Sequence, residues 1–401
     1  MGLIFGKKMN HKAPSIPVKN AIRSNYFFYS FATGVVTPYL VIYFKDGMGF
    51  NDSQLGLLLM LRPAMAIFAQ PFWSILADTG GHRGRLAFML ALIAGCFFPL
   101  MLFAKTMLAL MGLLLLWSFF NAPINSLNDA ITFQYLGHHR RMRFAHFRMF
   151  ASIGWIVSML TIGRLFDHFG IRWLFSIYPF GIFIAAFFLW RIPPDAKATW
   201  RQGFKSVSRL LSKRNVILFL ISVFLFESAN QMGFTFLSVY ARSLGANHVQ
   251  VGWIWAIATS AELVTMVTFV HIIRKINIKT VLLVGMLLTV VRWLPFGFMH
   301  VWWQLLPLQL LHAFTLTFGY IGAATFMDLE SPQEIRFSAQ AFYSTFVLNS
   351  ASIIGAFFGG QISHAWGYQG LFVTAGIITL IAAIFLGLFV KSPHQSSLSA
   401  S

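Results

Sequence analysis

About twelve stretches of this 401-residue chain are apolar for long enough to cross the roughly 30 Å hydrocarbon core of a bilayer as helices. They run roughly over 22–44, 55–77, 86–104, 107–136, 144–166, 172–190, 215–241, 249–272, 279–299, 302–327, 337–363 and 368–390. Hydrocarbon offers no water to a backbone N–H or C=O, so each stretch must satisfy its own polar groups by coiling into a helix. Charged residues make up 10% of the chain and hydrophobic ones 57%. A soluble domain carries about 25% charged residues, so soluble fold classes are excluded.

A formal charge of +19 raises the question of nucleic acid, and the placement of the basic residues answers it. Arg62, Arg148 and Arg292 lie inside apolar stretches, and Lys45, Lys105, Arg164, Arg172 and Arg242 occupy one set of loops. About 22 of the 30 Lys and Arg fall in the N-terminal arm, the alternate loops and the C-terminal end. That alternation marks the cytoplasmic side and expects both termini there, in a multi-pass protein of the plasma (inner) membrane. The expected partners are a lipid bilayer and a small-molecule substrate, with no nucleic acid, and a monomer is expected. The N-terminal apolar run is about 23 residues long, beyond the 7 to 15 of a signal-peptide core, so it reads as a retained first helix. The single cysteine, Cys96, can form no internal disulfide.

One passage occurs twice, about half a chain length apart. Gly163, Gly170, Leu174 and Phe175 in GRLFDHFGIRWLF keep the spacing of Gly360, Gly367, Leu371 and Phe372 in GQISHAWGYQGLF. A half-length repeat in so apolar a chain is the plan of a transporter built from two related bundles. The fold expected is an all-α membrane protein with about 12 transmembrane helices in two pseudo-symmetric six-helix bundles. Its parts are a basic arm (1–21), an N-terminal bundle (22–190), a linker (191–214), a C-terminal bundle (215–390) and a tail (391–401). Within the linker, Trp200, Phe204, Val207 and Leu211 recur at helical spacing between basic residues, as in a helix lying on an anionic membrane surface. Gly355, Gly359 and Gly360 sit at the spacing that lets membrane helices touch closely.

Among the 11 acidic residues, Asp129, Glu227 and Glu262 lie deep in apolar stretches. A charge there costs at least about 2.5 to 3.5 kcal/mol, so it is expected to face a cavity or a partner. Asp129 and Arg148 flank a short loop at similar depths, so their helices are antiparallel neighbours and the charges can meet. They form either a substrate-binding pair or a structural one. Trp155 follows Arg148 by two helical turns on the same face and could stack on a ring. In the second half, Glu227, Glu262, Arg292 and His312 fall at one depth on consecutive helices. Burial and a nearby Arg push a carboxyl in opposite directions, which allows a proton to be loaded and released as helices move. Glu262 is the first candidate acid, with Arg292 as modulator and His312 bridging to substrate. A network that only locks the bundle is the alternative. Arg62 fits snorkelling, gating and substrate contact equally.

These residues resemble the major facilitator superfamily, in the branch of lactose permease and the phenylpropionate permeases. Gln70-Pro71-Phe72 through Ala77-Asp78, then Gly81 and Arg83, is similar to the superfamily's gating loop between helices two and three. Arg148-Met149-Phe150 with Gly154-Trp155 resembles the sugar-binding stretch of helix five. Ala261-Glu262-Leu263, Val291-Arg292, Leu311-His312 and Glu334 to Ala339 resemble further segments in order. The resemblance implies substrate contacts at Asp129, Arg148, Trp155, Glu262 and His312. It also implies proton coupling through Glu262, Arg292 and His312, to which position adds Glu227. Gln309, His312 and Thr315 look more like the phenylpropionate side of the branch, which counts against a galactoside.

The expected function is proton-coupled symport, importing a small organic solute such as a sugar, nucleoside or aromatic acid by alternating access. No cofactor is expected, the proton serving as coupling ion, and no metal. Export of amphiphilic compounds against protons is the first alternative, weakened because no proline lies between Gly154 and Gly163. A sensor or scaffold without turnover is the second, and would call for a sensory domain that the sequence does not carry. No nucleophile motif, metal-ligand spacing or phosphate-binding loop points to an enzyme.

Overall fold

The computed structural model describes residues 16–80, 82–137, 140–192, 210–273, 275–332 and 335–393, and every element among them is helical. The first half contains α1 (Val18–Gly47), α2 (Asp52–Gly80), α3 (Arg83–Phe103), α4 (Met107–Leu136), α5 (His146–Phe169) and α6 (Ile171–Trp190). In the second half come α7 (Arg214–Ser243), α8 (His248–Ile273) and α9 (Ile278–Phe298). There α10 is a broken span, Trp302–Gln309 followed by His312–Glu330 at a 45° bend. The helical stretch Ser338–Phe389 is interrupted at Gly367, giving α11 (338–366) and α12 (368–389). The linker residues 193–209, the arm before residue 16, the tail after residue 393 and Gly81 lie outside the described residues.

Large apolar side chains point outward along these helices, among them Leu108, 79% exposed, and Leu388, 72% exposed. In water so many exposed apolar groups would drive association; here they match a lipid surround.

The duplicated passage forms the two corners where α5 turns into α6 and α11 into α12. Gly170 (φ 90°, ψ 153°) and Gly367 (φ 70°, ψ 176°) hold a backbone conformation essentially reserved for glycine, which reverses the chain within one residue. The sequence places the end of the eleventh span at 363; the helix instead continues until this glycine stops it. Leu174, Phe175, Leu371 and Phe372 are buried behind the corners.

Upstream in each copy, the repeat seals one end of the molecule. A Cβ on Gly163 would stand 2.6 Å from the His248 carbonyl oxygen, and one on Gly360 2.6 Å from that of Asp52. Gly56 faces Ala356 in the same way, and Gly252 faces Met159, its counterpart in the other half. The α2–α11 and α5–α8 contacts therefore repeat each other, as two pseudo-symmetric bundles require.

Polar bonds between the halves gather at this end, opposite the chain termini. The Arg242 guanidinium donates to Asp46 at 3.2 Å, Tyr368 to Asp52 at 2.7 Å and Gln361 to Ser53 at 2.7 Å. Asp167 of α5 accepts from the backbone N–H groups of His248 and Val249, capping α8 across the interface, and meets the His248 ring at 2.6 Å. The hydrophobic core follows suit. One cluster joins the first half to Phe236, Tyr240, Trp255 and Phe372 of the second, whereas a separate cluster around Phe219, Phe326 and Leu386 stays within the second half, toward the termini. Among the described residues the two halves are thus bonded at one end, and the molecule stands sealed there.

Candidate functional site

Between the halves lies a cavity of about 350 Å³. It is walled by α1, α2 and α4 from the first half and by α7 and α11 from the second. Asn121 is 14 residues into α4, about 21 Å from the sealed end, so the cavity sits near mid-membrane. Arg62 is the one charged side chain lining it; Gln70, Asn121, Gln231 and Asn349 supply amides, and Tyr29 and Phe234 aromatic faces. Asn349 follows a π-helical turn, Tyr343–Leu348, a distortion often found at functional sites.

Arg62 stacks over the Trp117 ring, 5.1 Å from its centroid. The Trp117 indole donates to the Tyr178 hydroxyl at 3.1 Å, which donates to Asn121 at 2.9 Å. This chain fixes the aromatic platform beneath the guanidinium.

The Asp129–Arg148 pair forms, at 2.9 and 3.2 Å, and Tyr26 donates to the same carboxylate at 2.7 Å. Arg148 remains 45% exposed. The pair does not line the cavity: Asp129 lies eight residues beyond Asn121 on α4, about 12 Å toward the open end. Trp155 is nearer the cavity in depth but is not among its lining residues; it packs against the core cluster that joins the halves. Its neighbour Gly154 lets α5 rest on the Phe27 backbone of α1.

In the second half, three of the four expected groups are joined. Glu262 of α8 meets the Nε2 atom of His312 at 2.7 Å, and the His312 Nδ1 atom faces Arg292 of α9 at 2.8 Å. Arg292, fully buried, also donates to Gln309 at 2.9 Å and stacks on Trp293. A guanidinium can only donate, so Nδ1 accepts and Nε2–H donates to the carboxylate. His312 is thereby held neutral between a cation and an anion. It stands at the break of α10, immediately before the π-helical segment Thr315–Ile321, and the Thr289–Thr315 and Thr265–Thr317 hydroxyl bonds pin that segment to α9 and α8. Phe234 bridges the network to the cavity, its ring centroid 6.1 Å from that of His312.

Glu227 differs from expectation. It is 2% exposed, its Oε1 atom has no hydrogen-bond partner, and no bond joins it to the other three among the described residues. Equal depth places a group on a level, not on the facing side of its helix. The gating-loop residues Asp78 and Arg83 pair at 2.7 Å, with Arg83 also donating to Gln134 at 2.8 Å; Gly81 falls outside the described residues. The cavity amides Asn121, Gln231 and Asn349 escape sequence reasoning, since uncharged polar residues in an apolar helix carry little signal.

The family model of the MFS_1 like family matches residues 20–374, nearly the whole described chain. The chain belongs to that family. It is accordingly a multi-pass membrane transporter with a small-molecule substrate, and not an enzyme. Among its relatives, the maltose permease of Geobacillus stearothermophilus is 22% identical over 91% of this chain and 93% of its own. The probable 3-phenylpropionic acid transporter of Escherichia coli (strain K12) is 24% identical over 90% and 95%. A point mutant of the nucleoside transporter NupG shares the fold with a TM-score of 0.85 at 17% identity, covering 93% of this chain and 100% of that one.

Proposed function

We propose that this chain is a proton-coupled symporter that imports a small organic solute through the cavity between its halves. It works as a monomer in the plasma (inner) membrane, with both termini in the cytoplasm, so that the sealed end faces outward. The observation that carries this is the position of the Glu262–His312–Arg292 chain, one aromatic ring behind a mid-membrane cavity closed at one end.

The proton step follows from donors and acceptors. Ionised Glu262 accepts the Nε2–H of His312, leaving Nδ1 to accept from Arg292. A proton arriving at Glu262 removes the negative charge that strengthens that bond, and one arriving at His312 sets two donors against each other at Arg292. Either event loosens a chain that ties α8, α9 and α10 together. Solute pressing on Phe234 feels the same rearrangement, so binding and protonation are coupled reciprocally, and symport requires that each favour the other. After solute and proton leave through the open end, the emptied halves rock about the cavity: the glycine contacts and ion pairs of the sealed end part while the other end closes, and the next load enters from outside. The Asp129–Arg148 pair meets solute on the open-side path, and Glu227, a buried carboxyl with an unpaired oxygen, is the second candidate proton site. No cofactor takes part.

The test is Glu262→Gln in vesicles supplied with maltose, uridine and 3-phenylpropionate in turn. Uphill accumulation should vanish while exchange of labelled for unlabelled solute persists. Undiminished accumulation would remove Glu262 from the coupling role.

A further inference from the structure

Of the three arginines that the sequence sets inside apolar stretches, two are hydrogen-bonded to side-chain acceptors: Arg148 to Asp129, and Arg292 to His312 and Gln309. Arg62 is the exception. Among the described residues it meets no carboxylate and makes no hydrogen bond: it lies over the face of Trp117, with Tyr29 and Tyr178 close enough to act on its charge, and the N–H donors on the edge of the guanidinium are left unengaged. No Asp or Glu lines the cavity it faces. Asp129, the acid deep in the first half, is already shared by Arg148 and Tyr26. A lone guanidinium at mid-membrane is costly, and an anion relieves that cost. Its planar fork is matched by a carboxylate, with two parallel N–H···O bonds.

We propose that Arg62 is the anion-binding residue of the transport cavity, and that the solute is an organic monocarboxylate whose apolar or aromatic body lies against Phe234. This rests on the cavity being the transport site. One cation and no acid fit a single negative charge; a phosphate dianion would be left half-neutralised, and a neutral sugar could accept hydrogen bonds but would leave the guanidinium's charge uncompensated. The solute then touches both halves, with its carboxylate on α2 and its body on α7, where Phe234 adjoins His312. The amides of Gln231 and Asn349 reach it from the second half. A bound monocarboxylate therefore ties the bundle that holds the charge to the bundle that holds the proton network.

The experiment is equilibrium binding to detergent-purified, monodisperse protein, followed by tryptophan fluorescence. Because it requires no turnover, a failure of proton coupling leaves it intact. The probes are two matched pairs, 3-phenylpropionate with 3-phenylpropionamide and hexanoate with hexanamide, together with maltose and inorganic phosphate. At least one acid should bind about ten-fold or more tightly than its amide. Arg62→Gln should erase the preference, Arg62→Lys should restore part of it, and Arg164→Gln, at the exposed sealed end, should leave it unchanged. Equal binding of acid and amide, a preference that survives Arg62→Gln, tighter binding of maltose or phosphate, or no acid binding at all would overturn the proposal. The wild-type comparison decides alone if Arg62→Gln does not fold.

Discussion

Replacing Gly56 and Gly252 with tryptophan should unlock the sealed end. Even a methyl group at position 56 would stand 2.7 Å from the Ala356 carbonyl oxygen and 2.9 Å from the Gly360 Cα. At position 252 it would collide with the Met159 carbonyl. Both obstacles are backbone, which cannot rotate aside. Overpacking of this kind costs about 1–3 kcal/mol per site. The two sites lie on different helix pairs and share no partner, so their effects should add. At about 2 kcal/mol each, the sealed state loses about 4 kcal/mol, close to a thousand-fold in population at 1.4 kcal/mol per factor of ten. A minor unsealed state of about 0.1% would then rise to near parity, and one of about 1% or more would become the major one. Thr37→Cys in a Cys96→Ser background places a lone thiol on the cavity wall. A membrane-impermeant maleimide added outside intact cells should label it at least ten-fold faster in the double-tryptophan protein than with both glycines present. Equal labelling would refute the assignment of the glycine contacts as the seal.

Other consequences are more local. Gly170→Ala and Gly367→Ala each force a side chain into a conformation suited to glycine, and each should lower the thermal midpoint by an amount equivalent to about 1–3 kcal/mol, read by a fluorescence melt. Asp129→Asn strands Arg148 and should impair transport more than Asp129→Asn with Arg148→Gln together; equal damage would mean that each side chain acts independently of the pair. Arg242→Gln removes one ion pair from the sealed end, between side chains that are about one-third or more exposed. It should raise outside labelling at position 37 by no more than a few-fold, far below the effect of the glycine substitutions.

The sequence makes the repeat legible because glycine leaves a distinct mark where two backbones must touch or reverse. Gly163 with Gly360, and Gly170 with Gly367, can be read as equivalent before any coordinates exist, and the structure explains both pairs by contact and by φ. The Asp129–Arg148 pair is legible because a short loop forces neighbouring helices and rise per residue fixes depth. Rotation about the helix axis is what hydropathy leaves open. Hence Glu227 shares a depth with Glu262 and His312 yet bonds to neither, and Arg62, open to three roles in the sequence, turns out to line the cavity. The π-helical turns before Asn349 and after His312 shift which residues face inward, and no spacing rule reveals them.

The central claim, that solute and proton cross together, is tested most directly by a pH electrode in a lightly buffered suspension of de-energised cells expressing the protein. Galactosides, nucleosides and arylpropionates are added in turn, with an Arg148→Ala control alongside. The account predicts that one class, the arylpropionates if Arg62 binds a carboxylate, alkalinises the medium in the wild type and not in the control. External acidification on addition of a solute would contradict import with a proton and make the chain an antiporter.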